Sequence, residues 1–203
     1  MLTKNQIKIL NLFRKNISLK ASILGIAKKI NKKAYQRVYE AVNDMVKKNI
    51  LHSQKVGGSN LISLELTKSS ITYLAFLDEQ EPMVKKIPNY EQIISIKEAS
   101  RYLIIVTGSY AKGKAKKNSD LDLVIIIPDT EKSFDIQKLI ENLTFLFYPR
   151  VHLYVFNNKD FIAMLLDKKE NYGKEIYKNH IILKNAYIYY ELLKEAIENG
   201  FKG

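Results

Sequence analysis

The chain has no cysteine, no tryptophan, three histidines, four prolines and eight glycines among its 203 residues. Without thiols there are no disulfides and no thiolate zinc sites, and three scattered imidazoles provide poorly for a zinc enzyme. No apolar run approaches the roughly 20 residues that a membrane-spanning helix needs. The opening stretch, "MLTKNQIKILNLFRKN", lacks the continuous apolar block and small-residue cleavage site of a secretory signal. A cytoplasmic location is therefore expected, with no membrane among the partners. Internal repeats and low-complexity tracts are also missing. What remains is a chain 46% hydrophobic, able to bury a core in one large or two small domains.

Charge is unevenly spread. Residues 1–75 hold 14 Lys and Arg against 3 Asp and Glu, whereas residues 76–203 hold 19 against 18, so nearly all of the formal +12 sits in the first third. Concentrated excess of this kind is the electrostatic footprint of a phosphate-backbone binder, although a solvated basic face gives the same composition.

The first third reads as three helices and a hairpin. Ile7, Ile9, Leu10, Leu12 and Phe13 form a helical stripe with Thr3 as N-cap and Gln6 three residues on. "SLKASILGIAKKIN", capped by Ser18, reads as a second helix. "AYQRVYEAVNDMVKKNIL" reads as a third, with Val38, Ala41, Val42, Met45 and Val46 as its apolar face. "HSQKVGGSNLISLEL" offers two short strands turning at Gly57 and Gly58. In order and spacing of elements, residues 1–76 resemble the winged-helix DNA-binding domains of prokaryotic regulators. The resemblance implies that the third helix enters the major groove, with Lys32, Lys33, Tyr35, Gln36 and Arg37 near its start and Lys55 of the wing beside phosphate.

Residues 77–90, with two prolines and little periodicity, read as a linker. Beyond it, residues 91–203 alternate helices with short apolar strands ("YLIIVTG", "LDLVIII", "RVHLYVF") and end in helices from Asn158 onward, the pattern of an α/β domain.

One stretch there carries chemistry: "VTGSYAKGKAKKNSDLDLVIIIP", Val106 to Pro128. Side chains two apart in a strand share a face, so Asp120 and Asp122 point together while Leu121 and Leu123 point the other way. Two adjacent carboxylates repel unless a cation lies between them, and oxygen ligands suit a hard divalent ion such as magnesium. The combination of Gly108, Ser109, Gly113 and the Asp120/Asp122 pair resembles the signature of the minimal nucleotidyltransferases of the DNA polymerase beta superfamily, over roughly Tyr90 to the C-terminus. That resemblance implies an α+β nucleotidyltransferase fold, a mixed sheet with helices. It also implies a reaction that moves a nucleoside monophosphate, most simply AMP from ATP, onto a hydroxyl with Mg2+ or Mn2+. Gly108 and Gly113 would let phosphates approach the backbone, Ser109 and Lys112 would contact them, and Asp120 and Asp122 would hold the metal.

One position departs from that family. Its members carry a third carboxylate on the following strand, and here "RVHLYVF" places His152 there, leaving it as a further candidate ligand beside its plain reading as a strand histidine. Imidazole suits manganese better than magnesium. Asp129 and Asp160 stand as alternative acids. Two functions follow: a metal-dependent nucleotidyltransferase coupled to DNA binding, or a DNA-binding regulator whose transferase-like domain binds nucleotide with impaired turnover. The partners expected are double-stranded DNA and a protein or RNA acceptor; a homodimer stays open.

Overall fold

The computed structural model describes residues 2–31 and 35–203, so Lys32 and Lys33 lie outside the described residues. Helix α1 (Lys4–Lys15) begins as its sequence dictates. The Gln6 N–H donates to the Thr3 hydroxyl at 3.3 Å, and the Thr3 N–H donates to Gln6 Oε1 at 2.8 Å. Such reciprocal capping satisfies two otherwise orphaned amides, and an N-cap of this kind contributes about 1 kcal/mol. Ile9, Leu10 and Phe13 are fully buried on one side of the helix.

The expected second helix is shorter than its pattern suggests and is not capped by Ser18. Lys20–Ser22 form strand β1, and α2 (Ile23–Lys29) starts at Ser22, whose hydroxyl accepts from the Gly25 N–H at 3.1 Å. Pairing with residues 61–63 of a later strand draws these residues into a sheet, a tertiary contact that outweighs local helix propensity. Helix α3 (Tyr35–Lys47) buries Val38, Val42 and Met45, while Ala41 and Val46 at the margins of that stripe are half-buried. Strands β2 (Leu51–Val56) and β3 (Ser59–Leu64) follow, joined at Gly57, whose φ of +59° lies in the left-handed region that glycine enters without steric cost. The antiparallel sheet runs β1-β3-β2.

Contacts divide the chain between Leu74 and Ala75, inside α4 (Lys68–Glu79). The stretch 77–90 does not run as an extended connector. It holds the end of α4 and a 3-10 turn, Val84–Lys86, and it buries Val84 and Ile87 in the core of the second unit. Anchoring by two apolar side chains at non-periodic positions leaves no helical or strand pattern to read.

The second unit continues with α5 (Tyr90–Ser95), β4 (Leu103–Val106), α6 (Gly108–Ala111), β5 (Leu121–Ile127), α7 (Ser133–Thr144), β6 (Val151–Asn157), α8 (Asn158–Leu166), α9 (Tyr172–Lys178), β7 (Ile181–Lys184) and α10 (Ala186–Glu198). Strand β7 falls where only helices were expected. Its run of three isoleucine and leucine residues between two helices has no period of its own, and it ends at Asn185 (φ +59°), whose amide donates to the carbonyls of Ser100 and Tyr102. The mixed sheet runs β6-β5-β4-β7, with β5 and β6 parallel and the other pairs antiparallel. One face carries Leu121, Leu123, Ile125, Leu153 and Val155 against α5 and α7. The opposite face buries Val124, Ile126, Ile105 and Ile182, with α8 against β5 and α10 against β4. Because β4 ends where β5 and β6 begin, three chain ends meet at one edge of the sheet, and the sequence motif lies there.

Candidate active site

The turn leaving β4 is fixed first. Buried Thr107 donates its N–H to the Asp122 carbonyl at 3.0 Å and its hydroxyl to the Asn179 carbonyl at 2.9 Å. Gly108 then takes φ +65°, and a methyl group on its Cα would overlap Oδ2 of Asp122. The main chain thus lies directly against the carboxylate, which no residue other than glycine permits. Ser109 is the second residue of the single turn of α6, half-buried, and its carbonyl accepts from the Lys114 N–H at 2.9 Å. Gly113 (φ +64°) closes the loop in open space. Lys112 does not project freely: its ammonium pairs with Glu175 of α9 at 2.7 Å.

Asp122 is the second residue of β5 and Asp120 precedes that strand, exposed. The two environments differ. Burial raises the Asp122 carboxyl above its ordinary value; His152 opposes the rise by charge and hydrogen bonding, Asp120 adds to it by like-charge repulsion, and Lys112 lowers it. A carboxylate held this way gains from any cation that joins it.

His152 is the register partner of Asp122 across the parallel pair, with Nδ1 3.4 Å from Asp122 Oδ1 and 3.2 Å from the Tyr154 hydroxyl. An aromatic wall continues from it. The ring centroids of His152 and Tyr154 lie 4.5 Å apart, and those of Tyr154 and Tyr172 4.6 Å. Tyr172 comes from α9, and burial, with the charges of Tyr154, Asp122 and Glu175, pushes its phenol far above the usual range. Sequence reasoning missed Tyr154, Tyr172 and Glu175. The i, i+2 spacing of His152, Tyr154 and Phe156 was a readable signal for a shared strand face, whereas nothing local announced α9.

Asp129 and Asp160 lie elsewhere. Asp129 follows β5 at its far end and accepts from the Lys159 N–H at 3.0 Å, while Asp160 accepts from the Asn157 N–H at 3.4 Å in the first turn of α8. Both serve helix entry at the opposite edge of the sheet.

Among the described residues no group of three or more His, Asp or Glu side chains is placed to hold a metal ion by itself. Two neighbouring carboxylates nevertheless suit magnesium, which typically takes one or two carboxylates and completes its shell with phosphate and water. The Gly108 turn lies directly against the Asp122 carboxylate, beside any metal that the pair would hold.

In the first unit, Tyr35, Gln36 and Arg37 occupy the exposed first turn of α3. Gln36 donates to Glu40 at 2.9 Å, and the rings of Tyr35 and Tyr39 lie 6.2 Å apart. Lys55 is exposed next to the β2–β3 turn.

A glycine turn thus closes onto the Asp-x-Asp segment where β4 ends and β5 begins in the four-stranded mixed sheet. Residues 88–183 match the family model of the nucleotidyltransferase domain, which supports the nucleotidyltransferase superfamily for this segment and nucleotidyl transfer in general. The mixed α/β architecture fits that fold. No curated protein matches the chain, and no solved structure does. No helix among the described residues is long and apolar enough to cross a membrane.

Proposed function

We propose that the chain is a metal-dependent nucleotidyltransferase that moves a nucleoside monophosphate, AMP from ATP in the simplest case, to an acceptor hydroxyl, and that its first unit is a winged helix binding nucleic acid. The observation that carries the transferase reading is the contact of Gly108 with Asp122, which sets the glycine turn after β4 directly against one carboxylate of the Asp pair. Phosphates would lie along the Gly108–Ser109 turn, and Asp120 with Asp122 would hold magnesium, which when bound neutralises charge on the departing pyrophosphate. In the transfer, the acceptor oxygen bonds to the α-phosphorus, the bond from that phosphorus to pyrophosphate breaks, and the hydroxyl proton passes to water. The winged-helix reading is supported by the element order α1-β1-α2-α3-β2-β3, the β1-β3-β2 sheet and the basic excess of residues 1–75.

The register of His152 with Asp122 favours a second reading, a DNA-binding regulator whose transferase domain binds nucleotide with little turnover. Calorimetric titration with ATP and magnesium tests the shared step. The double variant Asp120→Ala/Asp122→Ala is expected to lose magnesium-dependent binding while keeping its fold; unchanged affinity would make the pair structural. Labelled nucleotide incubated with protein, DNA and RNA acceptors then separates turnover from binding alone.

A further inference from the structure

The edge of the sheet that carries the Asp pair also gathers cations and rings that the transfer itself leaves unused. The Leu121 N–H donates to the Arg150 carbonyl at 2.8 Å, which sets the entry to β6 beside the entry to β5. Tyr148, 73% exposed, brings its hydroxyl 3.5 Å from the Lys117 carbonyl. The Tyr110 phenol, raised chiefly by burial, also feels the charges of Tyr148 and Asp120, so the three side chains lie near one another. Lys116, Lys117 and Arg150 are exposed, and none makes an ion pair with a described residue. On the same side, His152 is 59% exposed and begins the wall that Tyr154 continues.

Topology assigns this side to the acceptor. Asp122 stands on β5 between β4, whose following turn would hold the nucleotide phosphates, and β6, which carries His152 and Tyr154. In-line displacement sets the attacking oxygen opposite the leaving pyrophosphate, so an acceptor approaches over β6. There it meets interleaved cations and partly exposed rings, the pattern that binds single strands by backbone charge and base stacking.

Resting on the transferase reading, we infer that Lys116, Lys117, Arg150, Tyr148, His152 and Tyr154 form an acceptor subsite for the end of a single-stranded nucleic acid, its terminal bases stacked on the rings and its phosphates on the cations. A protein hydroxyl would find no use for three exposed cations, at the entries to β5 and β6, that make no ion pair with a described residue, whereas a polyanion would.

The test uses the full chain and a short oligouridylate carrying 4-thiouridine at its terminal nucleoside, with excess unlabelled duplex to occupy the first unit. Ultraviolet crosslinking and peptide mapping are expected to place adducts on Tyr148 or Tyr154. By anisotropy, Lys116→Ala/Lys117→Ala/Arg150→Ala should weaken binding and flatten its salt dependence, by about 0.7 in log–log slope for each phosphate no longer neutralised. Tyr154→Ala should weaken it roughly tenfold while Tyr154→Phe, which keeps the ring, retains it. Adducts confined to residues 1–74, unchanged affinity in the triple variant, or label found only on a protein hydroxyl would each overturn the subsite. Asp120→Ala/Asp122→Ala that still binds nucleotide would instead sink the transferase reading, and adducts on Tyr148 would then leave a single-strand surface without a transfer function.

Discussion

Gly108 has no side chain because Asp122 occupies the space a side chain would need. Its left-handed backbone costs an L-residue about 1–2 kcal/mol before any overlap is counted. Gly108→Ala is therefore expected to lower the unfolding midpoint and, by pushing the carboxylate aside, to weaken nucleotide binding by about tenfold or more; thermal melts and ATP titration measure the two effects separately. Asp122 makes a pH-dependent prediction. Burial raises its carboxyl in the folded state, so its contribution to stability is complete below the ordinary carboxylate range, where folded and unfolded chains are both protonated. It is lost as pH rises through the folded value, because the unfolded chain ionises first. At neutral pH the ionised group is thus a burden, and Asp122→Asn should raise the metal-free melting midpoint, with the advantage shrinking as the solution is acidified. Melts across a pH series check this, and equal midpoints at neutral pH would show that Asp122 is solvated well enough to carry its charge freely. Both residues were legible in the sequence as types at a spacing. Their direct contact was not, because it depends on the φ angle that Gly108 adopts.

Elements were legible where their period was long. α1, α3 and the Gly57 hairpin follow from apolar spacing and turn chemistry, whereas β1 and β7, three and four residues long, exist only through the strands they pair with. The placement of α9 was equally hidden, and with it the Lys112–Glu175 pair and the ring of Tyr172. Strand β6 is the case in which sequence position and three-dimensional register agree: the residue expected to match a third carboxylate faces Asp122. His152→Asp is accordingly expected to raise any nucleotidyl transfer by roughly 10²-fold, since a carboxylate there adds a metal ligand and a proton acceptor for the hydroxyl. The same change should lower the metal-free melting midpoint, because three carboxylates then crowd one edge, and magnesium should restore it. A variant that gains magnesium affinity without transfer would favour the regulator reading over the enzyme.

At the scale of the whole chain, charge separates two kinds of nucleic-acid contact. Residues 1–75 hold 14 cations against 3 anions, whereas Lys116, Lys117 and Arg150 of the second unit lie in the loop before β5 and at the entry to β6. Duplex binding through the first unit should follow counterion release, log K falling by about 0.9 per phosphate neutralised for each decade of salt. Arg37→Ala and Lys55→Ala, one on α3 and one at the hairpin turn, are each expected to reduce that slope by about 0.9 if each meets one phosphate. Gln36 is held by Glu40, so Gln36→Ala should leave the slope alone and change preference among duplex sequences, because the start of α3 is where base edges would be reached. Lys116→Ala/Lys117→Ala should leave the duplex slope unchanged, since those lysines lie in the second unit, in the loop between α6 and β5. Anisotropy with labelled duplex over a salt series reads all four variants. A slope that responds to the loop lysines and ignores Arg37 and Lys55 would transfer duplex binding to the second unit, and the basic first third would then be a solvated surface.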